Sequence, residues 1–444
     1  MRAGARREFF LTGVTGFLGK VVLEELLRRR EELCIERVHV LIRPSGARGS
    51  AERFADEVAN SPCFARLPGG WSRHVHVVQG ALEEPGLGLD AAVRAELGRR
   101  ITHVLHSAAS VSFDLPLARA ARANVSTSLT LLDVVRSWRR LERLLYVSTA
   151  YVAPHRGDAT PIAEALAPLP EPASDLYRSI VGGRGDEREL LASSGHPNTY
   201  TLTKSLAEHL LVERRGEVPI TVLRPSIISA SWRYPFPGWI DSASGFAGFV
   251  VRIGTGDLRV VMGRPDVRLD LVPVDEVATR MLHECLSDSG SRPRLRIRHV
   301  VAGLRHTVPL AEVGDRITAF FTAHPVAGRP EIKYLGPAGP RFVLEERREE
   351  RRFPPRANAP RGEPLPRTNG QLAGRLRVLN RVFSYFTSHS FAFETSHPLC
   401  EDFDPGSYVT TVCRGAWHHL LGAEDPGFRE GGRGESGAVV QRLS

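Results

Sequence analysis

The chain has 444 residues, of which 42% are hydrophobic, and carries a formal net charge of +9 with a pI near 9.7. This length allows a core domain plus a smaller one, and the apolar content is ordinary for a globular protein. No stretch approaches the roughly 20 apolar residues that a membrane span needs, and no secretory signal precedes the first apolar run. The five cysteines have no metal-ligand spacing, so they suit a reducing cytoplasm and predict no metal site.

The positive charge comes almost entirely from arginine, since only Lys20, Lys204 and Lys333 are lysines among 59 lysines and arginines. No nucleic-acid motif accompanies this charge, so we expect no nucleic-acid partner. A basic surface would attract anionic partners such as phosphate groups, acidic proteins or anionic lipid. Because arginine richness can also reflect genome composition, the charge alone identifies no partner.

The chain opens with a short apolar run, 9–11, then a turn with Gly13, Gly16 and Gly19, then an amphipathic helix from about 19 to 32. Gly13 permits the tight turn, Gly16 lets the backbone approach a diphosphate, and Gly19 allows close packing of helix and strand. The start of the helix faces the phosphates with free N–H groups. This pattern predicts a dinucleotide cradle. For the glycine triplet alone, an ordinary loop between strand and helix remains the alternative.

Strand and helix patterns alternate after this turn. The strand patterns cover 37–43, 74–82, 102–109, 143–151 and 219–228, and helical patterns include 117–139 and 198–215. Val- and Leu-rich strands alternating with helices predict an α/β fold with a Rossmann-type, doubly wound parallel sheet. Ligands of such a sheet bind at the carboxyl ends of its strands, which is where Gly13, Arg43, Ser107 and Thr149 fall.

A second motif places Tyr200 and Lys204 at positions i and i+4 of a predicted helix. Their side chains share one helix face, with Cβ atoms about 6 Å apart. A nearby ammonium favours the phenolate, which predicts a lowered tyrosine pKa and a better proton donor near neutral pH. Lysine stands out in so arginine-rich a chain because the two cations are not equivalent. The alternative is a packed aromatic residue and a surface charge.

The end of the second strand pattern carries Arg43, followed by Pro44 and Ser45. An NAD-selective fold places an Asp or Glu there to bind the ribose 2′-hydroxyl. A guanidinium instead suits the 2′-phosphate of NADP, and Arg48 and Arg53 could assist. The sequence therefore predicts NADPH as the cofactor, with an ordinary surface arginine as the alternative for Arg43.

The motifs TGVTGFLGK, VLIRP, HSAASVSFD, VSTAYV, NTYTLTK, RPSII and PFPGWID occur in this order between about residues 8 and 280. In this set the chain resembles the fatty acyl-CoA reductases, extended short-chain dehydrogenases/reductases with a male-sterility-type NAD-binding domain that are related to thioester reductase domains. PFPGWID, residues 235–241, is the motif most particular to acyl-CoA reductases. A weaker likeness to their C-terminal domain occurs at 383–387 and 391–395. One departure is Gly80-Ala81-Leu82, where the family usually has Gly-Asp near the adenine.

The resemblance implies roles for residues of this chain. The implied catalytic residues are Tyr200 as general acid, Lys204 as its activator, and Thr149 as oxyanion donor, with Ser148 as the alternative in the ambiguous Ser-Thr register. Strand-end capping is the other explanation for these two hydroxyls. The motifs and the resemblance together assign to the cofactor Thr12, Gly13, Thr15, Gly16, Phe17, Leu18, Gly19, Arg43, Arg53, Ser107, Ala108, Asn124, Tyr200, Lys204, Pro225, Ser226 and Ile227. Asn124 would hold the loop after strand four against the active site.

The activity that the resemblance implies is NADPH-dependent reduction of a long-chain acyl-CoA thioester to an aldehyde, an alcohol or both. One alternative is a carrier-protein-dependent thioester reductase or another extended dehydrogenase acting on a polyketide, sterol or sugar. Another is a non-catalytic NADPH-binding regulator. Acyl chain length, final product and oligomeric state stay open at this point.

We expect the NADP-binding core at 8–228 with a closing helix at 265–286, a substrate lid at 229–264, and the remainder of a smaller substrate-binding part at 287–335. A flexible linker at 336–370, a mainly helical C-terminal cap at 371–422 and a disordered tail at 423–444 follow. The cap could cover an acyl tunnel or touch a membrane surface. The lid aromatic residues, which either bind an acyl chain or pack the smaller domain, are Trp232, Tyr234, Phe236, Trp239, Phe246 and Phe249.

Overall fold

The structure, a computed structural model, describes residues 6–287, 294–326, 328–336 and 369–424. Most of the linker expected at 336–370 and most of the tail expected at 423–444 therefore lie outside the described residues. The strands are β1 (Arg7–Thr12), β2 (Ile35–Ile42), β3 (Val75–Gln79), β4 (His103–His106), β5 (Arg143–Val147), β6 (Pro161–Ile162), β7 (Ile220–Pro225), β8 (Ile227–Ser229), β9 (Val260–Met262), β10 (Leu271–Pro273), β11 (Leu295–Val300), β12 (Lys333–Leu335) and β13 (Ala392–Phe393).

Thirteen α-helices are described together with these strands. They are α1 (Phe17–Arg28), α2 (Ser50–Phe54), α3 (Ala91–Arg100), α4 (Leu117–Ala121), α5 (Thr127–Val135), α6 (Ala173–Val181), α7 (Glu187–Ser194), α8 (Thr199–Arg214), α9 (Phe246–Gly254), α10 (Val274–Leu286), α11 (Leu310–Ala323), α12 (Asn369–Ser388) and α13 (Pro405–Gly415). Among the described helices, none is both long and apolar enough to cross a membrane.

The main sheet has seven strands in the order β3-β2-β1-β4-β5-β7-β11, and every neighbouring pair is parallel. Successive side chains of a strand point to opposite faces, so Phe9 and Leu11 join one apolar core and Phe10 joins the other. Helices α1 and α10 cover the first face, and α5 and α8 cover the second. The predicted Rossmann-type, doubly wound α/β fold is confirmed.

The seventh strand corrects the expected division of the chain. Residues 287–335 were assigned to the substrate-binding part, but β11 lies in the main sheet and pairs with β7 over its whole length. Its sequence, LRIRHV, contains two arginines and a histidine, so it lacks the continuous apolar run typical of a buried parallel strand. Glu284 and Glu164 lie within 3.6 Å of these arginines, which allows the charged strand to join the sheet.

Two of the predicted helical segments have distinct local geometry. The helical pattern at 117–139 becomes α4, a π-helical turn at Arg122–Ser126, and α5. Such π-helical turns inside α-helices frequently occur at functional sites. The pattern at 198–215 becomes α8, whose N-cap Asn198 accepts a hydrogen bond from the Thr201 N–H at 2.9 Å, as N-cap side chains commonly do.

A smaller unit of α9, β9, α11, β12, α12 and α13 packs beside the carboxyl end of the sheet. In it β9 and β12 form a short parallel pair, and the Asn380 side chain of α12 bonds the β9 backbone at Val260 and Met262. The C-terminal region also reaches the core, because β13 pairs with β6. The closing helix, expected from 265, begins at Val274 after the short strand β10.

Helix α8 is anchored to β7 by a buried ion pair. Arg224 donates to Glu208 through Nε at 2.9 Å and Nη2 at 2.5 Å, and both side chains are almost fully buried. We expect Glu208→Gln to lower the free energy of unfolding by about 3–5 kcal/mol, because it leaves a buried guanidinium without its counter-charge. The exposed pair Arg178–Asp175 provides the control, and Asp175→Asn should cost less than about 1 kcal/mol. Equal, small losses in urea denaturation would contradict this.

Candidate active site

The turn between β1 and α1 has the shape of a dinucleotide cradle. Gly13 has φ +80, and a Cβ there would lie 2.7 Å from the Ala108 nitrogen. A Cβ on Gly19 would overlap the Gly13 carbonyl oxygen, whereas Gly16 is exposed and a Cβ there would lie 3.4 Å from that oxygen, an ordinary contact. Helix α1 starts without a side-chain cap and without an acid in its first turn. Its free N–H groups therefore suit a diphosphate.

Phe17 and Lys20, which follow this turn, contact the expected lid. Thr15 and Leu18 are half-buried, and the ring of Phe17 stacks on Trp239 with centroids 5.3 Å apart. Lys20 Nζ lies 2.6 Å from the Asp241 carboxylate. The PFPGWID segment is thus held directly against the start of α1.

The ends of β1 and β4 meet beside Gly13. Ser107 Oγ donates to the Thr12 carbonyl at 2.8 Å, and the Ala108 N–H donates to Thr12 Oγ1 at 3.4 Å. Ser107 and Ala108 therefore lie at the point where the strand order reverses, which is where dinucleotides bind in such sheets.

A buried hydrogen-bond chain runs from this point to Asn124. Ser128 Oγ donates to the Asn124 carbonyl at 2.6 Å, so it must accept from His106 Nε2, 3.0 Å away. Burial lowers the pKa of His106 to about 3, so the ring is neutral, with its proton on Nε2. His106 Nδ1 then accepts from Thr12 Oγ1 at 2.7 Å. The donor and the acceptor of each hydrogen bond between Thr12 and Asn124 are therefore defined.

Asn124 lies in the π-helical turn and joins two parts of the site. Its Oδ1 accepts from the Ser110 N–H at 2.8 Å, and its Nδ2 donates to the Ser110 carbonyl and to Thr203 Oγ1 at 3.2 and 3.1 Å. Asn124 therefore holds the loop after β4 against α8. Its contact on α8 is Thr203, the residue directly before Lys204.

Tyr200 and Thr149 meet at the carboxyl end of β5. The Thr149 hydroxyl hydrogen-bonds the Tyr200 hydroxyl, and burial raises the tyrosine pKa to about 12 despite that bond. Thr149 Oγ1 also accepts from the Tyr151 N–H at 3.4 Å. Ser148 Oγ is buried and has no hydrogen-bond partner among the described residues, so the contact with Tyr200 involves Thr149.

Lys204 is buried on the same helix face but does not lower the tyrosine pKa as the spacing alone predicted. Its Nζ donates to the Val147 carbonyl at 2.7 Å and lies 4.7 Å from the centroid of the Tyr146 ring. Burial lowers the pKa of Lys204 to about 7, partly offset by Glu208. Desolvation disfavours the charged form of both groups and is the largest cause of both shifts.

The segment Pro225-Ser226-Ile227 lies at the end of β7, where a buried carboxylate that the sequence reasoning missed holds it. Asp270 accepts from Ser226 Oγ at 2.5 Å and from the N–H groups of Ala302 and Gly303, both at 2.8 Å. The sequence feature that could have identified Asp270 is an acid directly before the apolar strand β10. Asp270 fixes the backbone that flanks the predicted nicotinamide position.

Arg43 and Arg53 lie at the outer edge of the cradle. The Arg43 guanidinium is 64% exposed and 3.0 Å from Glu83. Arg53 donates to the Arg43 carbonyl at 2.7 Å and pairs with Glu57 at 2.8 Å, so it supports the backbone at Arg43 and turns its charge toward Glu57.

Two recesses lie near Phe113, whose ring contacts Tyr200. A polar cleft of about 660 Å³ lies between the loop at Phe113, the start of α8 and the exposed side of α12. A narrow apolar slot of about 40 Å³ lies among α9, β9, α11, β12 and α12. Phe113 lines the cleft, and its ring centroid lies 5.4 Å from Tyr200 and 5.3 and 5.8 Å from Phe383 and Phe386, which line the slot.

The expected lid aromatic residues divide between the slot and the core. Phe246 and Phe249 line the slot, whereas Phe236 and Trp239 are buried in the core. Trp232 packs edge-on against Phe403, and Tyr234 lies under the Arg28 guanidinium. Asp275, a second acid that the sequence reasoning missed, accepts the N–H groups of residues 232–234 at 2.8–3.0 Å and fixes where this segment begins.

In the described residues, the atoms of His283, Glu284 and His397 approach one another within 4.8 Å in a way that could hold a metal ion. Arg296 and Arg298 already lie 3.6 and 3.8 Å from the Glu284 carboxylate. Their positive charge disfavours a divalent cation there.

The neutral state of His106 predicts a pH-dependent stability. Its folded-state pKa of about 3 lies below the ordinary value of 6.5, so between these values the unfolded chain binds one more proton. The free energy of unfolding should therefore fall as pH is lowered from 6.5, by about 1.4 kcal/mol per pH unit from this group. His106→Asn should reduce the measured slope by that amount. Equal slopes for the natural protein and His106→Asn would contradict the assignment.

Known proteins resemble this chain in sequence and in fold. A fatty acyl-CoA reductase 1 of Gallus gallus is 31% identical over 336 residues, which is 72% of this chain and 62% of that protein. The fatty acyl-CoA reductase wat of Drosophila melanogaster is 33% identical over 281 residues, 62% of this chain and 53% of that protein. The chain thus spans less than two thirds of the length of these relatives.

The terminal R domain from the myxalamid PKS-NRPS biosynthetic pathway has a similar fold, with a TM-score of 0.67 at 23% identity over 94% of this chain and 92% of that one. The NAD-binding model of male sterility proteins matches residues 11–281. This match covers more than half of the sequence and includes the glycine turn and the Tyr200–Lys204 helix. The chain therefore belongs to the male sterility protein family, and its cofactor is a nicotinamide dinucleotide.

Proposed function

We propose that the protein reduces the thioester of a long-chain fatty acyl-CoA, with NADPH as reductant, to an aldehyde or an alcohol. The observation that carries this proposal is the position of Tyr200. Its hydroxyl bonds Thr149 at the end of β5, and its ring contacts Phe113, which lines the polar cleft and packs against Phe383 and Phe386 of the apolar slot. A carbonyl beside Tyr200 could then extend a polar arm to one side and an alkyl chain to the other.

The two recesses match the two halves of such a substrate. The cleft includes Asn198, Tyr385 and Arg381, and its Arg264 already pairs with Asp158 and Asp266. This mixed polar lining suits the neutral amide groups of a pantetheine arm. The slot suits the acyl chain. Because about 40 Å³ holds only a few water-sized groups, a long chain needs the side chains of the slot to move apart.

The chemistry of the bound nicotinamide is hydride donation to the thioester carbonyl carbon. With a substrate bound, the Thr149 and Tyr200 hydroxyls would give up the hydrogen bond between them and each donate to the oxygen that becomes negative, as donors in a buried site do. Tyr200 then gives its proton to that oxygen, which forms a hemithioacetal. Breaking the C–S bond yields an aldehyde and a thiol. A second hydride and a second proton would convert the aldehyde to an alcohol.

The preference for NADPH rests on the end of β2. Arg43 is exposed there and pairs only with the exposed Glu83 among the described residues. An exposed ion pair contributes little stability, so a phosphate can replace the carboxylate. Charge-assisted bonds from a guanidinium to a phosphate are among the stronger hydrogen bonds in proteins. These properties support binding of the 2′-phosphate by Arg43.

We place the reaction in the cytoplasm. All five cysteines are free, and Cys34 and Cys400 are exposed. Free exposed thiols persist in a reducing environment.

The first test is NADPH oxidation by the purified protein with palmitoyl-CoA, with the products identified by mass spectrometry. We expect aldehyde or alcohol from the natural protein and a fall in kcat of about 10²–10⁴-fold in Tyr200→Phe, with NADPH binding retained. Thr149→Val should share part of the loss because it removes the hydroxyl that bonds Tyr200. Ser148→Ala is the matched control and should not.

Other outcomes would redirect the proposal. Turnover only with acyl groups on a carrier protein would identify a carrier-dependent thioester reductase. NADPH binding without turnover of either thioester, unaffected by Tyr200→Phe, would instead identify a non-catalytic regulator.

Cofactor preference has its own test. Arg43→Ala should lower kcat/KM for NADPH by about 10- to 100-fold, because it removes a charge-assisted hydrogen bond, and should leave the value for NADH unchanged. Glu83→Gln should raise kcat/KM for NADPH by freeing the guanidinium. Arg178→Ala, at an exposed arginine of α6, controls for loss of surface charge. Equal use of NADH and NADPH by the natural protein would contradict the assignment.

A further inference from the structure

The apolar slot offers no polar group to its contents. Only two of its lining side chains carry a polar atom, Thr387 and Tyr334. The Thr387 hydroxyl donates to the Met262 carbonyl, and the Tyr334 hydroxyl donates to the Leu310 carbonyl at 2.8 Å. An alkyl chain is the ligand that such a lining accepts at no cost in unpaired hydrogen bonds.

The slot has a side near the reacting centre and a side away from it. Phe383 and Phe386 line it next to Phe113, whose ring contacts Tyr200. The slot is also lined by α11, through Val313, Gly314 and Ile317, and by Tyr334 of β12. Strand β9 bonds α12 through Val260 and Met262 and pairs with β12, so β9 separates Tyr334 from the phenylalanines of α12. A chain that enters beside Tyr200 therefore advances toward α11 and β12.

Gly314 and Tyr334 form a fixed end to this path. Gly314 lies inside α11, where glycine is disfavoured relative to alanine. A Cβ at this position would overlap the Tyr334 hydroxyl and lie 3.0 Å from Ile332 Cδ1. The Tyr334 hydroxyl therefore fits beside Gly314 only because that residue has no side chain. The same hydroxyl bonds the carbonyl of Leu310, which lies one turn earlier on α11. Tyr334 is also held by its strand, which pairs with β9 at Val261.

We propose that Tyr334, seated on Gly314, is the end wall of the acyl slot and sets the longest chain that the enzyme accepts. This inference rests on the proposed function, because it names the residue that decides chain length in that reaction. Removing the ring lengthens the slot. A side chain at 314 pushes the ring into the slot and shortens it.

The experiment measures kcat/KM for saturated acyl-CoA thioesters from decanoyl to docosanoyl. Tyr334→Ala should move the optimum to chains longer by about two to four carbons, because the space left by the ring can bury further methylene groups. Each methylene buried there should raise relative kcat/KM about fourfold. Tyr334→Leu is a second, more conservative enlargement and should move it by less. Gly314→Ala should move the optimum to shorter chains. Tyr334→Phe keeps the ring and should keep the optimum.

A second measurement separates this inference from the proposed function. Binding of non-reducible S-alkyl-CoA thioethers of the same lengths is followed by calorimetry in the presence of NADP⁺. A shifted thioether optimum in Tyr334→Ala would support the wall even if no thioester is turned over, a result that would overturn the proposed function alone. Turnover with an unchanged length profile in Tyr334→Ala, Tyr334→Leu and Gly314→Ala would overturn the wall and leave the function standing.

Discussion

The contact between the ends of β1 and β4 is the constraint on which the site depends. Gly13 must lack a side chain because the Ser107–Ala108 backbone occupies that space. The same junction starts the buried chain of hydrogen bonds through His106 to Asn124. A neutral histidine with one possible tautomer transmits position without carrying charge, so the cofactor turn and the loop beside the reacting centre are parts of one rigid arrangement. Burial, which lowers the pKa of His106, is what makes that arrangement unambiguous.

Helix α8 needs two anchors because it must present a tyrosine and a lysine to the same point. Near its start, Lys204 donates to the carbonyl at the end of β5. One turn later, Glu208 accepts from Arg224 of β7 inside the protein. Buried ion pairs are weak evidence for net stability but costly to break, and this one fixes the rotation of α8 about its axis. Asn124 adds a third contact through Thr203, on the side that faces the loop after β4.

The fold, and those candidate site residues that lie in short local motifs, could be predicted from the sequence. The glycine turn, the alternation of apolar strands with helices and the Tyr200–Lys204 spacing all have a period or a motif within a few residues. Contacts between distant segments had no such signal. Asp270 joins three segments, and Gly314 is explained only by Tyr334, twenty residues later. Strand β11 was missed because its charges are neutralised by Glu164 and Glu284, from other elements. The pKa of Tyr200 was predicted in the wrong direction because spacing gives the distance between charges but not the depth of burial.

That raised pKa is consistent with reduction as the favoured direction of the proposed reaction. A tyrosine with a pKa of about 12 stays protonated across the physiological range, so the proton donor is always loaded. The oxyanion of a hemithioacetal is basic enough to take this proton, and the cost falls on the phenolate left behind. Lys204, with a pKa near 7, becomes easier to protonate as that phenolate forms, because an opposite charge nearby favours the ammonium. In the proposed reaction, the mutual stabilisation that the Tyr-x-x-x-Lys spacing predicted would therefore arise as the phenolate forms, when preorganised charge is most effective.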